Sequence, residues 1–200
     1  MRGFTTIRDM GGPVFGLKRA IDEGVTVGPR IYPSGAMISQ TSGHGDFRSR
    51  YEVPRTLGGP LSQSELEGVA AIADSPDEVR LRTREQLRQG ASQIKLMAGG
   101  GVSFAPQSDR DRPSSPNRSF APRSRRPKIG ALMWPCMRIR RAAIRQAVAA
   151  GVKCIEHGQL IDEPTAQLLA DKGIWWSLQP LTYDADVFAR MSPVSQRKRW

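Results

Sequence analysis

Hydrophobic and polar positions follow two periods along this chain, and the two periods take turns. The run GFTTIRD (3–9) alternates β-branched and polar residues and predicts a strand. After a Gly-Gly-Pro turn, Val14, Leu17, Lys18 and Ile21 recur at helical spacing, so Val14 to Glu23 reads as a helix closed by Gly24. PRIYPSG is a second short strand, and the Gly- and Ser-rich residues 35 to 73 read as a long loop. A structureless loop of that length is uncommon in a compact domain and suggests a functional surface. Ser75, Pro76, Asp77 and Glu78 form a helix start, with Val79, Leu81 and Leu87 along a helix that ends at Gly90. SQIKLM is then a buried-type strand running into Gly99, Gly100 and Gly101.

The same rhythm returns after an interruption. Ala142 to Ala150 is helical and stops at Gly151, VKCIEHG is a strand, Asp162 caps a helix from Glu163 to Lys172, and IWWSLQP is another strand. Strands alternating with helices of this length imply parallel βαβ units. No GxGxxG follows the first strand, which argues against a doubly wound dinucleotide fold. A (β/α)8 barrel normally takes about 250 residues. With five strands placed in 200 residues, the expected fold is α/β, a partial (β/α)8 TIM barrel.

Charge locates the interruption. Net charge is +11, and residues 110 to 141 hold ten Lys and Arg against the single acid Asp111, a balance of +9. Those residues also include five prolines and keep neither period, so they read as an irregular Arg- and Pro-rich segment between barrel parts at 1–109 and 142–200. Dispersed arginines with Phe120 and Trp134 would suit a polyanion or nucleic acid, which is the alternative reading of function. The rest of the chain is close to neutral, which disfavours nucleic acid as the partner of the whole. Met1 opens directly onto the strand-like GFTTIRD and no apolar run is long enough for a membrane helix, so neither secretion nor membrane spanning is expected. Cys136 and Cys154 are too few for a disulfide framework, so a cytoplasmic location is expected.

In a barrel, chemistry gathers at the carboxyl ends of the strands. Arg8 and Asp9 end the first strand, Lys95 lies within SQIKLM, His157 ends VKCIEHG, and His44 sits in the long loop. Each also has a bland reading. Arg8 and Asp9 could be a local ion pair, Lys95 a snorkelling side chain, and the histidines ordinary hydrogen-bonded groups.

Four segments taken together, GFTTIRDMGGP, GPRIYPSGAMISQTSGHGD, REQLRQGASQIKLMAGGGVS and AIRQAVAAGVKCIEHGQLIDE, resemble the metal-dependent amidohydrolase superfamily, in its imidazolonepropionase-like, Xaa-Pro dipeptidase-like branch. The resemblance covers residues 2 to 109 and 142 to about 180. It implies a distorted TIM barrel holding one or two divalent metals, usually zinc. The implied ligands are a His-x-His pair on the first strand, a carboxylated lysine on the fourth, histidines on the fifth and sixth, and an aspartate on the eighth. Lys95 matches the lysine and His157 the sixth-strand histidine; His44 matches a loop beside the site and is assigned to substrate. The implied reaction is attack of metal-activated water on an amide or cyclic amide bond of a small or dipeptide-like substrate. The resemblance gives no oligomeric state.

Most of that ligand set is absent here. His44 and His157 are the only histidines, so neither the His-x-His pair nor the fifth-strand histidine is present, and the eighth strand is expected beyond Trp200. The genetic code offers a reason. Read one base early, the codons of Met133, Trp134 and Pro135 force Val then Ala, and those of Cys136 and Met137 give His or Tyr. The shifted frame permits YVAVHAYTP, an apolar strand ending in histidine. Residues 110 to 141 are therefore expected to be out of frame, and the chain as written is expected to lack hydrolase activity.

Overall fold

The computed structural model describes residues 3–49, 51–97, 132–133, 135–136, 141–158 and 161–178. Element order is β1 (Thr6–Asp9), α1 (Phe15–Asp22), β2 (Arg30–Pro33), β3 (Met37–Ser39), a 3-10 turn (Arg55–Leu57), α2 (Gln63–Leu66), β4 (Ala70–Ile72), α3 (Pro76–Arg88), β5 (Ile94–Lys95), β6 (Leu132–Met133), β7 (Pro135–Cys136), α4 (Arg141–Ala149), β8 (Cys154–His157), α5 (Glu163–Asp171) and β9 (Trp175–Ser177). Helix limits follow local chemistry. At α3, Ser75 Oγ accepts the Glu78 N–H, the Glu78 carboxylate accepts the Ser75 N–H, and Pro76 occupies the first turn. At α5, Asp162 accepts the Thr165 N–H ahead of Pro164.

Every strand pair among the described residues is parallel. β1 pairs with β2, β3 with β4, β5 with β6, and β8 with both β7 and β9. A bridge from Ile38 to Leu96 sets β3 beside β5. Giving β2 with β3, and β6 with β7, one place each, and with β4 on the edge of β3 away from β5, the order runs β1, β2/β3, β5, β6/β7, β8, β9. In a flat sheet β1 and β8 would lie about 19 Å apart. Yet Arg8 of β1 forms an ion pair with Glu156 of β8, so the sheet curls until those strands face each other.

The curl gives the sheet two unlike faces. Toward the helices lies an apolar core of Ile38, Ile94, Leu96, Ile144, Ala147, Val152, Ile155 and Leu169, all nearly inaccessible. Cys154 and Glu156 alternate with Ile155 and point the other way, as Lys95 does between Ile94 and Leu96. Buried apolar side chains of this size each contribute roughly 1.5–3 kcal/mol, so the helix-facing side holds the fold and leaves the concave side for polar groups.

Two expectations change. Residues 35 to 73 are not a bare loop: they hold β3, β4, α2 and the 3-10 turn. Met37 to Ser39 pairs residue for residue with Ala70 to Ile72, a contact between short apolar runs that no local period announces. Within 110 to 141, expected to be irregular throughout, Leu132–Met133 and Pro135–Cys136 are strand and Arg141 opens α4. These residues become strand because β5 and β8 offer free edges on either side, not through their own propensity. The rest of that segment and the tail beyond residue 178 lie outside the described residues. Among the described residues no helix is long and apolar enough to cross a membrane.

Candidate functional site

Lys95 comes to the concave side because Ile94 and Leu96 are taken by the helix-facing core. It is only 8% exposed, so it does not snorkel. Burial pulls its ammonium down to about 8, against the opposing pull of Glu156 and Asp9. A tenth or so of the side chain is therefore the neutral amine at pH 7. The snorkelling reading of this lysine is overturned.

His157 ends β8 and His44 is delivered by the loop after β3. Burial, then the charges of Lys95 and His157, hold the His44 imidazole down to about 4. The three sequence candidates are thus close enough to feel one another, although 113 positions separate His44 from His157 in the chain. His44 Nδ1 is buried and has no hydrogen-bond partner among the described residues. A buried ring nitrogen left in that state is costly unless a ligand completes it.

The His44 loop is built tightly. Ser39 Oγ accepts the Gly45 N–H at 3.1 Å, and a β-carbon on Gly43 or Gly45 would sit 2.5 or 2.8 Å from Ser39. Thr41 gives both its N–H and its hydroxyl to Asp74, at 2.8 and 2.7 Å. Asp46 accepts the Ser42 N–H and a two-pronged contact from Arg48 at 2.7 and 2.6 Å. Burial pushes the Asp46 carboxyl up, but Arg48 and the Ser42 N–H outweigh it and hold the group below its ordinary value. Loop geometry, not chance exposure, therefore sets where His44 lies.

Arg8 does not pair with Asp9, so the local ion-pair reading is corrected. Its partner is Glu156, 148 positions away, and its guanidinium also approaches Cys154 Sγ at 3.7 Å. Asp9 instead accepts the Gly11 N–H at 3.3 Å and acts on Lys95 through its charge. Burial raises the Cys154 thiol to about 11, so it stays protonated and inert at neutral pH. Glu156 was not singled out from the sequence. A carboxylate inside an otherwise apolar strand was the available signal, but its partners lie on other strands.

Chemically, the concave side offers one partly neutral amine, one neutral imidazole with a vacant ring nitrogen, and His157. Lys95, His157 and His44 are the groups here that could contact a metal or a small substrate. Among the described residues no three His, Cys, Asp or Glu side chains stand together as a metal cage.

A model of the amidohydrolase family matches residues 1–116, more than half of the chain. The chain belongs to the amidohydrolase family. It is 36% identical to ochratoxinase of Aspergillus niger over 186 residues, which takes in 86% of this chain and 36% of the ochratoxinase. Among solved structures, this amidohydrolase chain superposes on a prolidase complexed with N-methylphosphonate-L-proline at TM-score 0.80 and 34% identity, over 99% of itself and 48% of the prolidase. The crystal structure of the A. niger ochratoxinase gives TM-score 0.78 at 30% identity, over 98% and 46%. A Xaa-Pro dipeptidase with bound methionine, 22% identical, shares the fold at TM-score 0.71. The chain thus spans about a third of the curated ochratoxinases and about half of these solved relatives.

Proposed function

We propose that this chain carries the central strands of a (β/α)8 hydrolase acting on an amide or cyclic amide C–N bond, and that as written it does not complete the machinery. The position of Lys95 and His157 at the carboxyl ends of parallel strands, with His44 near enough for the charges of both to act on it, supports the reading. Lys95 and His157 are our candidates for two metal-holding positions, and His44 for a substrate contact. A small dipeptide-like or imidazolone-like amide is the favoured substrate class; the prolidase relative, bound to an L-proline phosphonate, supports the first of these.

The residues present do not fit a divalent metal such as zinc as a complete set. With His44 given to substrate, Lys95 and His157 offer two metal-holding positions, short of the three protein ligands of a catalytic zinc site or the four of a closed one, and no cluster of three His, Cys, Asp or Glu supplements them among the described residues. No catalytic step is therefore routed through a metal in this chain. What its own residues offer is narrower. His44 can exchange a hydrogen bond with a substrate amide through its vacant Nδ1, and Glu156 with Asp9 supports the charged form of Lys95.

We read residues 110 to 141 as translated out of frame. Residues 132–133 pair with β5 and residues 135–136 with β8, with Met133 level with Lys95 and Cys136 level with His157. That course supports a fifth barrel strand here, and the shifted frame would set a histidine beside the Cys136 position. Sequencing the gene with its flanks and measuring metal content tests both parts. The chain as written is expected to hold well under one zinc per molecule and to show no amide hydrolysis, and the frame-restored gene with its flanks to gain both. Tightly held metal with metal-dependent turnover in the chain as written would overturn the proposal, as would codons incompatible with the shifted frame.

A further inference from the structure

The backbone departs from an ordinary strand at the end of β8. His157 has φ +68° and Gly158 φ +57°. Left-handed backbone is natural for glycine but disfavoured for a residue with a β-carbon, so something must hold His157 there. Strict alternation along β8 would send residue 157 to the helix side with Ile155. The left-handed turn breaks that alternation, and the charge of His157 acts on His44.

The neighbouring strand supplies the restraint. Trp176 stands opposite Ile155 in the β8/β9 register, and its indole Nε1–H donates to the His157 carbonyl oxygen at 3.0 Å. The fit is close: a β-carbon on the buried Gly158 would come within 2.9 Å of Trp176 Nε1 and 3.4 Å of Ile155 Cγ2. The adjacent Trp175 is 78% exposed, whereas Trp176 is 37% exposed. The two tryptophans of one strand are therefore in different circumstances, and only Trp176 reaches back across the turn.

We propose that Trp176 is a positioning residue for His157: its indole N–H anchors the His157 carbonyl and, with Gly158 leaving room for the ring, fixes the left-handed turn that presents the imidazole to the concave side. Its importance for chemistry rests on the reading above, in which His157 belongs to the active site; its action on His157 does not. A phenylalanine in its place would keep the aromatic bulk but lose the donor, and the carbonyl would have to find another partner or the turn relax.

The test uses the 200-residue chain labelled with 15N, whose two histidines give two imidazole patterns by long-range proton–nitrogen correlation. In the unaltered chain the Trp176 indole proton is expected to exchange with solvent at least about tenfold more slowly than that of Trp175. Trp176→Phe is expected to move the His157 ring signals and the Gly158 amide much more than those of His44. Gly158→Ala, by crowding the indole, is expected to move the same His157 signals and speed Trp176 exchange. Equal exchange of the two indoles would overturn the proposal without any variant being needed. So would a Trp176→Phe chain in which His157 is unmoved, or in which both imidazoles move alike as in a general loosening. Failure of the frame-restored protein to bind metal would remove the hydrolase reading but leave the dependence of His157 on Trp176 intact.

Discussion

Lys95 is held at a cost. Its ammonium, drawn down to about 8 by burial, loses stability relative to an unfolded lysine as pH falls from 10.5 to 8, and at neutral pH that loss is complete. Lys95→Met is therefore expected to stabilise the chain at pH 7 by on the order of 1–3 kcal/mol in urea unfolding. Glu156→Gln, which removes a charge favouring the ammonium, should lower the Lys95 midpoint further when lysine resonances are titrated by NMR. His44 works in a lower window. The folded imidazole stays neutral down to about pH 4, while an unfolded histidine takes a proton near 6.5, so the unfolded chain binds more protons between those values. Stability should fall by up to about 3 kcal/mol as pH drops through that range, and His44→Gln should flatten the slope in unfolding curves measured at pH 7 and 4.5. Lys95, His157 and His44 could be singled out as candidates from the sequence because the segments that carry them are local. Glu156 and Trp176 were not, because each acts on a residue of another strand.

At the scale of elements, the parts that were legible are those with their own punctuation. α3 and α5 start where Ser75 and Asp162 say they should, since a cap and a proline act within one turn. Ser75→Ala removes one half of a reciprocal cap and is expected to cost about 1 kcal/mol, read from thermal or urea unfolding. β3 and β4 were missed because three-residue strands owe their existence to each other. The bend between β2 and β3 shows how specific such joints are. Gly35 has φ +69°, and a β-carbon there would meet Gln86 Oε1 at 2.2 Å, the atom that accepts the Ala36 N–H at 2.8 Å. Gly35→Ala should therefore cost more than the cap, roughly 2 kcal/mol or above, because it adds backbone strain and breaks a buried hydrogen bond. Its effect belongs to the joint, so it should be additive with Ser75→Ala in a double mutant.

For the whole molecule the decisive contrast is between an almost neutral scaffold and a segment carrying +9 of the +11 net charge. If that segment has a role of its own, binding to a polyanion should weaken steeply with salt and vanish when residues 110 to 141 are deleted. On the hydrolase reading any such binding is weak and unselective, measured by titration with heparin and duplex DNA at two salt concentrations. The family and the parallel βα order were legible from the flanks. The pairing across the concave side was not, because it joins Arg8 to Glu156 across most of the chain.

The two faces of the curled sheet are built from different side chains. Ile94, Ile144, Ile155 and Leu169 on one side share almost nothing with Arg8, Lys95 and Glu156 on the other. Substitutions confined to the concave face can therefore change its polar groups and leave the greasy layer whole. In a lineage released from selection on catalysis, substitutions should accumulate on the concave face well before they erode its helical backing.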